Sequence, residues 1–251
     1  MLVDLHVHSL HTPGCRLEPS LAIEKAEAVG LDGICFADLG GWPLAAELAA
    51  LRGQTDLAVL VGAEIPTDHG RYLVFVPDPA STTPEAILGP PDEHGLWPAR
   101  AVVDRVREAG GAVVAAHPYD RHVDPPAGDY ILTLRGLAAV EGITGTRSND
   151  VNELAIEAAD HLALPCVGGS AAHDNYDRIG RAATLFRDEV RDEAALVAAL
   201  RAGAVWAVQI GEPPKFRGDE LARLERERPE RREDRRGGAR RGGRRRGGQR
   251  R

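Results

Sequence analysis

Between positions 2 and 208, short runs of uncharged apolar residues alternate with stretches whose apolar side chains recur at helical spacing. The runs fall at 2–7, 33–36, 58–61, 72–76, 112–116, 138–140, 165–167 and 204–208. Strands without polar alternation are buried on both faces, the condition of a parallel sheet covered by helices. The stretches between them supply those helices. Ala22, Ala26 and Val29 repeat at helical spacing, with Pro19 suited to the start and Gly30 to the stop. Ala99, Val102, Val103, Val106 and Ala109 form a stripe opened by Pro98 and closed by Gly110. Val151, Leu154, Ala155, Ala158 and Leu162 form another, and Leu196, Ala199 and Leu200 a last one before Gly203. About seven strand–helix units in roughly 210 residues predict an α/β fold of small βα-barrel type. No glycine-rich phosphate loop follows any strand, which argues against a nucleotide-cradling fold.

Charge divides the chain into two materials. Residues 217–251 carry 15 Arg against 7 acidic residues, whereas the preceding 216 carry 16 basic and 31 acidic ones. From Glu225 onward the only apolar residues are Pro229 and Ala239, too few to offset the entropy of ordering. The sequence therefore predicts a folded domain over 1–212 and an Arg/Gly/Glu-rich disordered tail over 213–251. Arg241-Gly242-Gly243-Arg244 resembles segments that contact RNA through charge and stacking. Interleaved Asp and Glu dilute that field and aromatics are absent, so nucleic-acid binding is a secondary expectation. Cys15, Cys35 and Cys166 are odd in number and lack paired spacing, which favours a reducing cytosol and a cytoplasmic protein. No run approaches the roughly 18 apolar residues of a membrane span, and the N-terminus does not read as a signal peptide.

Ionisable residues recur at the strand ends. Asp4, His6 and His8 belong to the first run, and the two histidines share one face. Asp38 follows the second run, Glu64 the third, His117 the fifth and His173 the seventh. In a parallel barrel those ends converge on one rim, where such folds place their chemistry. Imidazoles and a carboxylate on that rim suggest a site for zinc, manganese or iron. His94, His122 and His161 lack the register, and His11 and His69 are undecided.

These segments resemble the PHP family, of polymerase and histidinol phosphatase domains. Asp4-Leu5-His6-Val7-His8-Ser9 is similar to its first motif, Gly30-Leu31-Asp32-Gly33-Ile34 to the approach to its second, and Gly62-Ala63-Glu64 to its third. The stretch 110–118, GGAVVAAHP, resembles the fourth motif, and Gly169-Ser170-Ala171-Ala172-His173 the last. The resemblance implies a distorted βα barrel, usually of seven strands, with a rim cluster of up to three divalent metals. Most stand-alone members are phosphoesterases acting on small phosphorylated metabolites or nucleotides. The departures are as informative. Leu39, Arg71 and Ala171 stand where the family has ligands; leucine and alanine offer no donor, and a guanidinium brings positive charge where a cation belongs.

The surviving set implies one well-held metal on His6, His8 and Glu64, and at most a weak second using His117 and a shared oxygen of Glu64, with His69 as substitute. His173 would serve a third, helped only by Cys15; Asp38 is a further candidate. One or two ions are thus expected rather than three. Glu64 and His117 would act by holding a metal that activates water, and Arg147, Arg121 and Arg71 are candidates to bind a substrate phosphate. Arg147 with Asn152 resembles an arginine–asparagine pair found hereabouts in the family. The favoured function is a metal-dependent phosphoesterase on a small phosphorylated substrate. The alternative is a degenerate PHP domain that binds a ligand or partner without turnover.

Overall fold

The computed structural model describes residues 1–211; the expected tail lies outside the described residues. Nine strands follow in chain order: β1 (Leu2–Val7), β2 (Gly33–Leu39), β3 (Ala58–Thr67), β4 (Gly70–Phe75), β5 (Ala112–Ala116), β6 (Ala139–Thr144), β7 (Cys166–Gly169), β8 (Ala182–Phe186) and β9 (Val205–Gln209). The helices are α1 (Pro19–Ala28), α2 (Leu48–Arg52), α3 (Pro84–Leu88), α4 (Ala99–Glu108), α5 (Asn149–Leu162) and α6 (Glu193–Ala202). Local chemistry accounts for their ends. Pro19 opens α1 at a position where its missing N–H costs nothing. The Asp192 carboxylate caps α6 by accepting from the Ala195 amide, and Gly203 closes it in the left-handed conformation with φ +71°.

The strands form one sheet in the order β7-β6-β5-β4-β3-β2-β1-β8-β9. β1, β2 and β3 are parallel to one another, as are β5, β6 and β7; β4 and β8 run antiparallel to both of their neighbours. The expected distorted barrel of about seven βα units is thus met only in outline: the described residues form nine strands in a mixed sheet. β4 returns through a tight hairpin with no helix before it, and β8 was not among the predicted runs. β8 reads Ala-Ala-Thr-Leu-Phe, and its exposed Leu185 breaks the buried-on-both-faces pattern.

The sheet curls until it nearly closes. At the seam the His8 amide donates to the Ala172 carbonyl at 2.9 Å, and Val7 bridges Ala172 in parallel sense. The Thr184 hydroxyl of β8 donates to the Gly168 carbonyl at 2.8 Å and accepts from the Gly168 amide at 2.9 Å. Alternation divides the apolar residues between two layers. Val3, Leu5, Leu60, Leu73, Val114 and Val167 fill the interior with Leu196, Val197 and Leu200 of α6. Ile34, Val59, Val61, Val113 and Val140 face outward against α1, α4 and α5. Among the described residues no helix is long and apolar enough to cross a membrane.

Thr184 is fully buried, so removing its hydroxyl strands a buried amide and a buried carbonyl at the seam. Thr184→Val should lower unfolding free energy by about 2 kcal/mol in urea titration, with Thr184→Ser recovering most of it. A valine variant as stable as the parent would refute the seam as a source of stability.

Candidate metal centre

A bulge in β1 begins the construction. The β1–β2 register shifts between Asp4 and Val7. Val3 and Leu5 lie in the inner layer but Val7 in the outer one, so the strand changes face within this stretch. His6 and His8 thereby project into the barrel mouth. Asp4 pins the bulge, accepting from the amides of His6, Ser170 and Gly180 at 3.2, 2.8 and 3.0 Å. Burial raises its carboxyl, against those hydrogen bonds, to about 6. Across the seam, Gly169 makes room for His6: a Cβ there would stand 2.5 Å from His6 Cβ. On β6, Ala139 faces inward and Val140 outward, so alternation carries Glu141 into the mouth. On the β3–β4 hairpin Glu64 lies opposite Leu73, which makes Arg71 its diagonal neighbour on the same face. His117 follows β5 with φ +26°, a sparsely populated conformation for a residue with a Cβ, and its amide donates to Glu141 Oε2 at 2.9 Å.

The side chains converge closely. His6 Nε2 lies 3.2 Å from His8 Nε2, with Glu64 Oε1 3.7 Å from the former and Glu64 Oε2 3.8 Å from the latter. His117 Nε2 is 2.9 Å from Glu64 Oε1, and Arg71 Nη1 is 2.8 Å from Glu64 Oε2. His6 Nδ1 is 2.9 Å from Glu141 Oε1. His6, His8, Glu64, His117 and Glu141 are all buried.

The surrounding hydrogen bonds fix which imidazole nitrogens are free. The Thr12 hydroxyl donates to Asp38 Oδ1 at 2.7 Å, so it meets His8 Nδ1, 3.2 Å away, as an acceptor. His8 therefore carries its proton on Nδ1 and a lone pair on Nε2. Burial pushes this imidazole down to about 3, which keeps it neutral. His6 Nδ1–H is held by the Glu141 carboxylate, leaving Nε2 to face His8. Burial pulls His6 down, but Glu141, then Glu64 and Asp4, outweigh it and raise its pKa. Glu64 is raised by burial and lowered more strongly by the His117 hydrogen bond and the neighbouring imidazoles, ending well below the carboxylate range. Glu141, raised by burial, is lowered below its ordinary value by His6.

This donor set fits a divalent ion. Nitrogens each about 2.0–2.1 Å from a tetrahedral ion lie about 3.3 Å apart, close to the spacing of His6 and His8. Two imidazoles and a carboxylate suit zinc, manganese or iron. His117 Nδ1 is also buried in the mouth without a hydrogen-bond partner.

The other sequence candidates lie around this core. His173 sits at the rim with its ring 5.6 Å from that of His8. Both Asp38 oxygens are engaged, by the Ser9 amide and the Thr12 hydroxyl on one and the Ser9 hydroxyl on the other, so Asp38 braces the His8 loop. Cys15 packs into the outer apolar layer and burial raises its thiol. His69 stacks on Tyr130 at 3.6 Å at the hairpin tip. Asp38, Cys15, His69 and His173 stand outside the two three-residue donor sets found among the described residues. Arg147 Nε donates to Asp120 Oδ2, and the Asp120 amide donates to the His117 carbonyl, which ties Arg147 to the His117 loop. Asn152 holds the Thr144 backbone, its Oδ1 accepting from the amide at 3.1 Å. Arg121 is exposed. Glu141, Thr12 and Asp120 were not predicted. Glu141 was within reach, standing one residue beyond the 138–140 run and in step with Ala139.

Thr12 orients His8 through a single hydroxyl, and partners of this kind are worth about 10–100-fold in metal affinity. Thr12→Val should weaken zinc or manganese binding by about that factor in competition with a chelating dye, while Thr12→Ser retains it. Equal affinity in the valine variant would remove Thr12 from the centre.

Residues 149–205 match the PHP-associated family model. Several solved structures share the fold. A two-domain protein from Bacteroides vulgatus, containing a predicted PHP-like metal-dependent phosphoesterase, superposes with a TM-score of 0.60 at 17% identity. That match covers 83% of this chain and 64% of the other, so the chain spans less than two thirds of that protein. An amidohydrolase from Chromobacterium violaceum, with bound sulfate and no metal, aligns over 82% of this chain and 97% of its own, with a TM-score of 0.58 and 18% identity. The endonuclease EndoQ of Pyrococcus furiosus, described as lesion-specific, aligns over 82% of this chain and 57% of its own, with a TM-score of 0.52 and 13% identity. No curated protein sequence matches. The chain thus resembles the PHP-associated family over residues 149–205, and shares its fold with these solved structures.

Proposed function

We propose that this protein is a metal-dependent phosphoesterase that hydrolyses a small phosphorylated metabolite or nucleotide in the cytoplasm. The observation that carries the reading is the meeting of His6 Nε2, His8 Nε2 and the buried Glu64 carboxylate, 3.2, 3.7 and 3.8 Å apart. His6, His8 and Glu64 would hold a divalent ion, which would supply Lewis acidity and activate water near neutral pH. The chain's own residues do the rest. Glu141 holds His6 in the tautomer that presents Nε2. His117 steadies the Glu64 carboxylate through Nε2 and leaves Nδ1 without a partner in the mouth. Arg71 and Arg147 supply positive charge on either side of His117, suited to a phosphoryl group. The fold likeness to phosphoesterases, and to an endonuclease that acts on phosphodiesters, supports phosphorus–oxygen bond cleavage as the class of chemistry.

The test is turnover of p-nitrophenyl phosphate and bis-p-nitrophenyl phosphate by protein reloaded with manganese or zinc. Activity should vanish with chelator and fall by about a thousandfold or more in Glu64→Gln, which keeps the shape but loses the charge. Metal-loaded protein that binds phosphate yet hydrolyses neither ester, nor a panel of nucleotides, would favour the binding-only alternative.

Metal and proton compete for His6 Nε2, and the raised His6 pKa extends that competition to higher pH. Below the His6 pKa, affinity should rise about tenfold per pH unit, levelling once His6 is neutral. Calorimetric titration at pH 6, 7 and 8 in buffers of different ionisation enthalpy reads both slope and proton release. A pH-independent affinity would exclude His6 as a ligand.

A further inference from the structure

The charges around Glu64 bear on how many ions the mouth holds and where an anionic substrate sits; this inference rests on the phosphoesterase reading above. The two donor sets among the described residues are His6–His8–Glu64 and His6–His117–Glu141, and both require His6. Its Nδ1 is held by Glu141 Oε1 at 2.9 Å, and Glu141 Oε2 takes the His117 amide at 2.9 Å. In the second set both Glu141 oxygens are engaged, by His6 Nδ1 and the His117 amide, while His117 Nδ1 has no partner. An ion there would have to displace the His6–Glu141 hydrogen bond that orients His6 in the first set.

Arg71 supplies the other half of the argument. Its Nη1 contacts Glu64 Oε2 at 2.8 Å, and Glu64 has no exposed side-chain surface while 35% of the Arg71 side chain is exposed. Among the described residues, Glu64 is its one hydrogen-bond partner. A guanidinium has five N–H donors in a rigid fork, so anchoring one nitrogen on Glu64 leaves others for a ligand at the mouth. Charge points the same way. Several buried carboxylates surround the mouth, and Arg71 is the cation in direct contact with Glu64, so it is a fixed positive charge that an anionic ligand can meet beside a bound ion. A second dication sharing Glu64 with the first would need both of its oxygens, and Arg71 already holds Oε2.

We propose that the centre holds a single divalent ion on His6, His8 and Glu64, and that Arg71 is its built-in second cation, gripping the phosphoryl oxygens of the substrate. Arg71 is then a substrate-binding residue and also the reason a second ion is excluded.

The experiment strips the full-length protein with chelator, saturates it with manganese, removes free metal by gel filtration and measures manganese per chain. The loaded protein is then titrated with inorganic phosphate. The parent should hold one manganese per chain. Arg71→His, which removes the charge and adds a nitrogen donor, should approach two. Arg71→Lys keeps the charge and should stay at one, with phosphate binding weakened about tenfold by loss of the fork. Arg71→Met should weaken phosphate binding further. Two or more ions in the parent, a single ion in Arg71→His with native thermal melting, or unchanged phosphate affinity in Arg71→Met would each overturn the proposal. If Arg71→His fails to fold, parent stoichiometry and the lysine variant still decide. Parent protein that takes up no ion sinks the phosphoesterase reading as well, whereas two ions with turnover intact sinks this inference alone.

Discussion

Glu64 is a carboxylate with no solvent exposure, and the mouth of the barrel is arranged around keeping it charged. A buried charge is tolerated when partners replace the water it has lost, and removing one partner is costly because it leaves the charge uncompensated. Here one oxygen meets His117 and the other Arg71. Those partners come from β4 and from the loop after β5, so the carboxylate of β3 draws three neighbouring parts of the sheet together. The irregular strand β4 has its explanation here. A parallel strand with a crossover helix would start at the opposite end of the barrel. The hairpin returns immediately and places Arg71, near the start of β4, at the end where β3 finishes.

A second layer of hydrogen bonds converts this cluster into a directed one. Glu141 fixes His6, and the Asp38–Thr12 pair fixes His8, so that the two Nε2 atoms face each other. Neutral imidazoles would not bring two lone pairs to 3.2 Å without a cation between them. The opposite shifts of His6 and His8 follow from that conflict. Burial pushes His8 down to about 3, while Glu141 and Glu64 raise His6 against its own burial.

Much of this was legible in the chain. The predicted runs at 2–7 and 112–116 coincide with β1 and β5, and the four helical stripes correspond to α1, α4, α5 and α6. Hydrophobic period is a local property, and these elements express it locally. The failures have non-local causes. β8 is built of small residues with one face turned out, and it is a strand because β1 and β9 flank it. Glu141 ends a short apolar run, where an acid looks like the onset of a loop. Its burial follows from the amide of His117 and the ring of His6, which lie 24 and 135 residues away. Asp38, Cys15 and His69 stand near the rim in sequence, but proximity does not say where a donor atom is already engaged. Arg71 could be recognised as charge out of place; that it grips Glu64 itself was visible only once β3 and β4 were paired.

The two ends of the barrel divide the labour. At the far end, Leu196, Val197 and Leu200 of α6 enter the inner apolar layer. Glu193 of the same helix is buried against Arg52 and accepts from the Val61 amide at 3.1 Å, which locks α6 onto β3. Burying a leucine or valine contributes about 1.5–3 kcal/mol, whereas a cluster of imidazoles and carboxylates contributes little net stability by itself. The apolar end can therefore carry conformations at the mouth that cost energy. His117 with φ +26° and Ala171 with φ +50° are both there, each on a loop that follows a strand of the parallel group. Strain of this kind persists only where the surroundings over-determine it. For His117 the determinants are the Glu141 and Glu64 contacts, so the groups that orient the imidazole also hold its backbone in place.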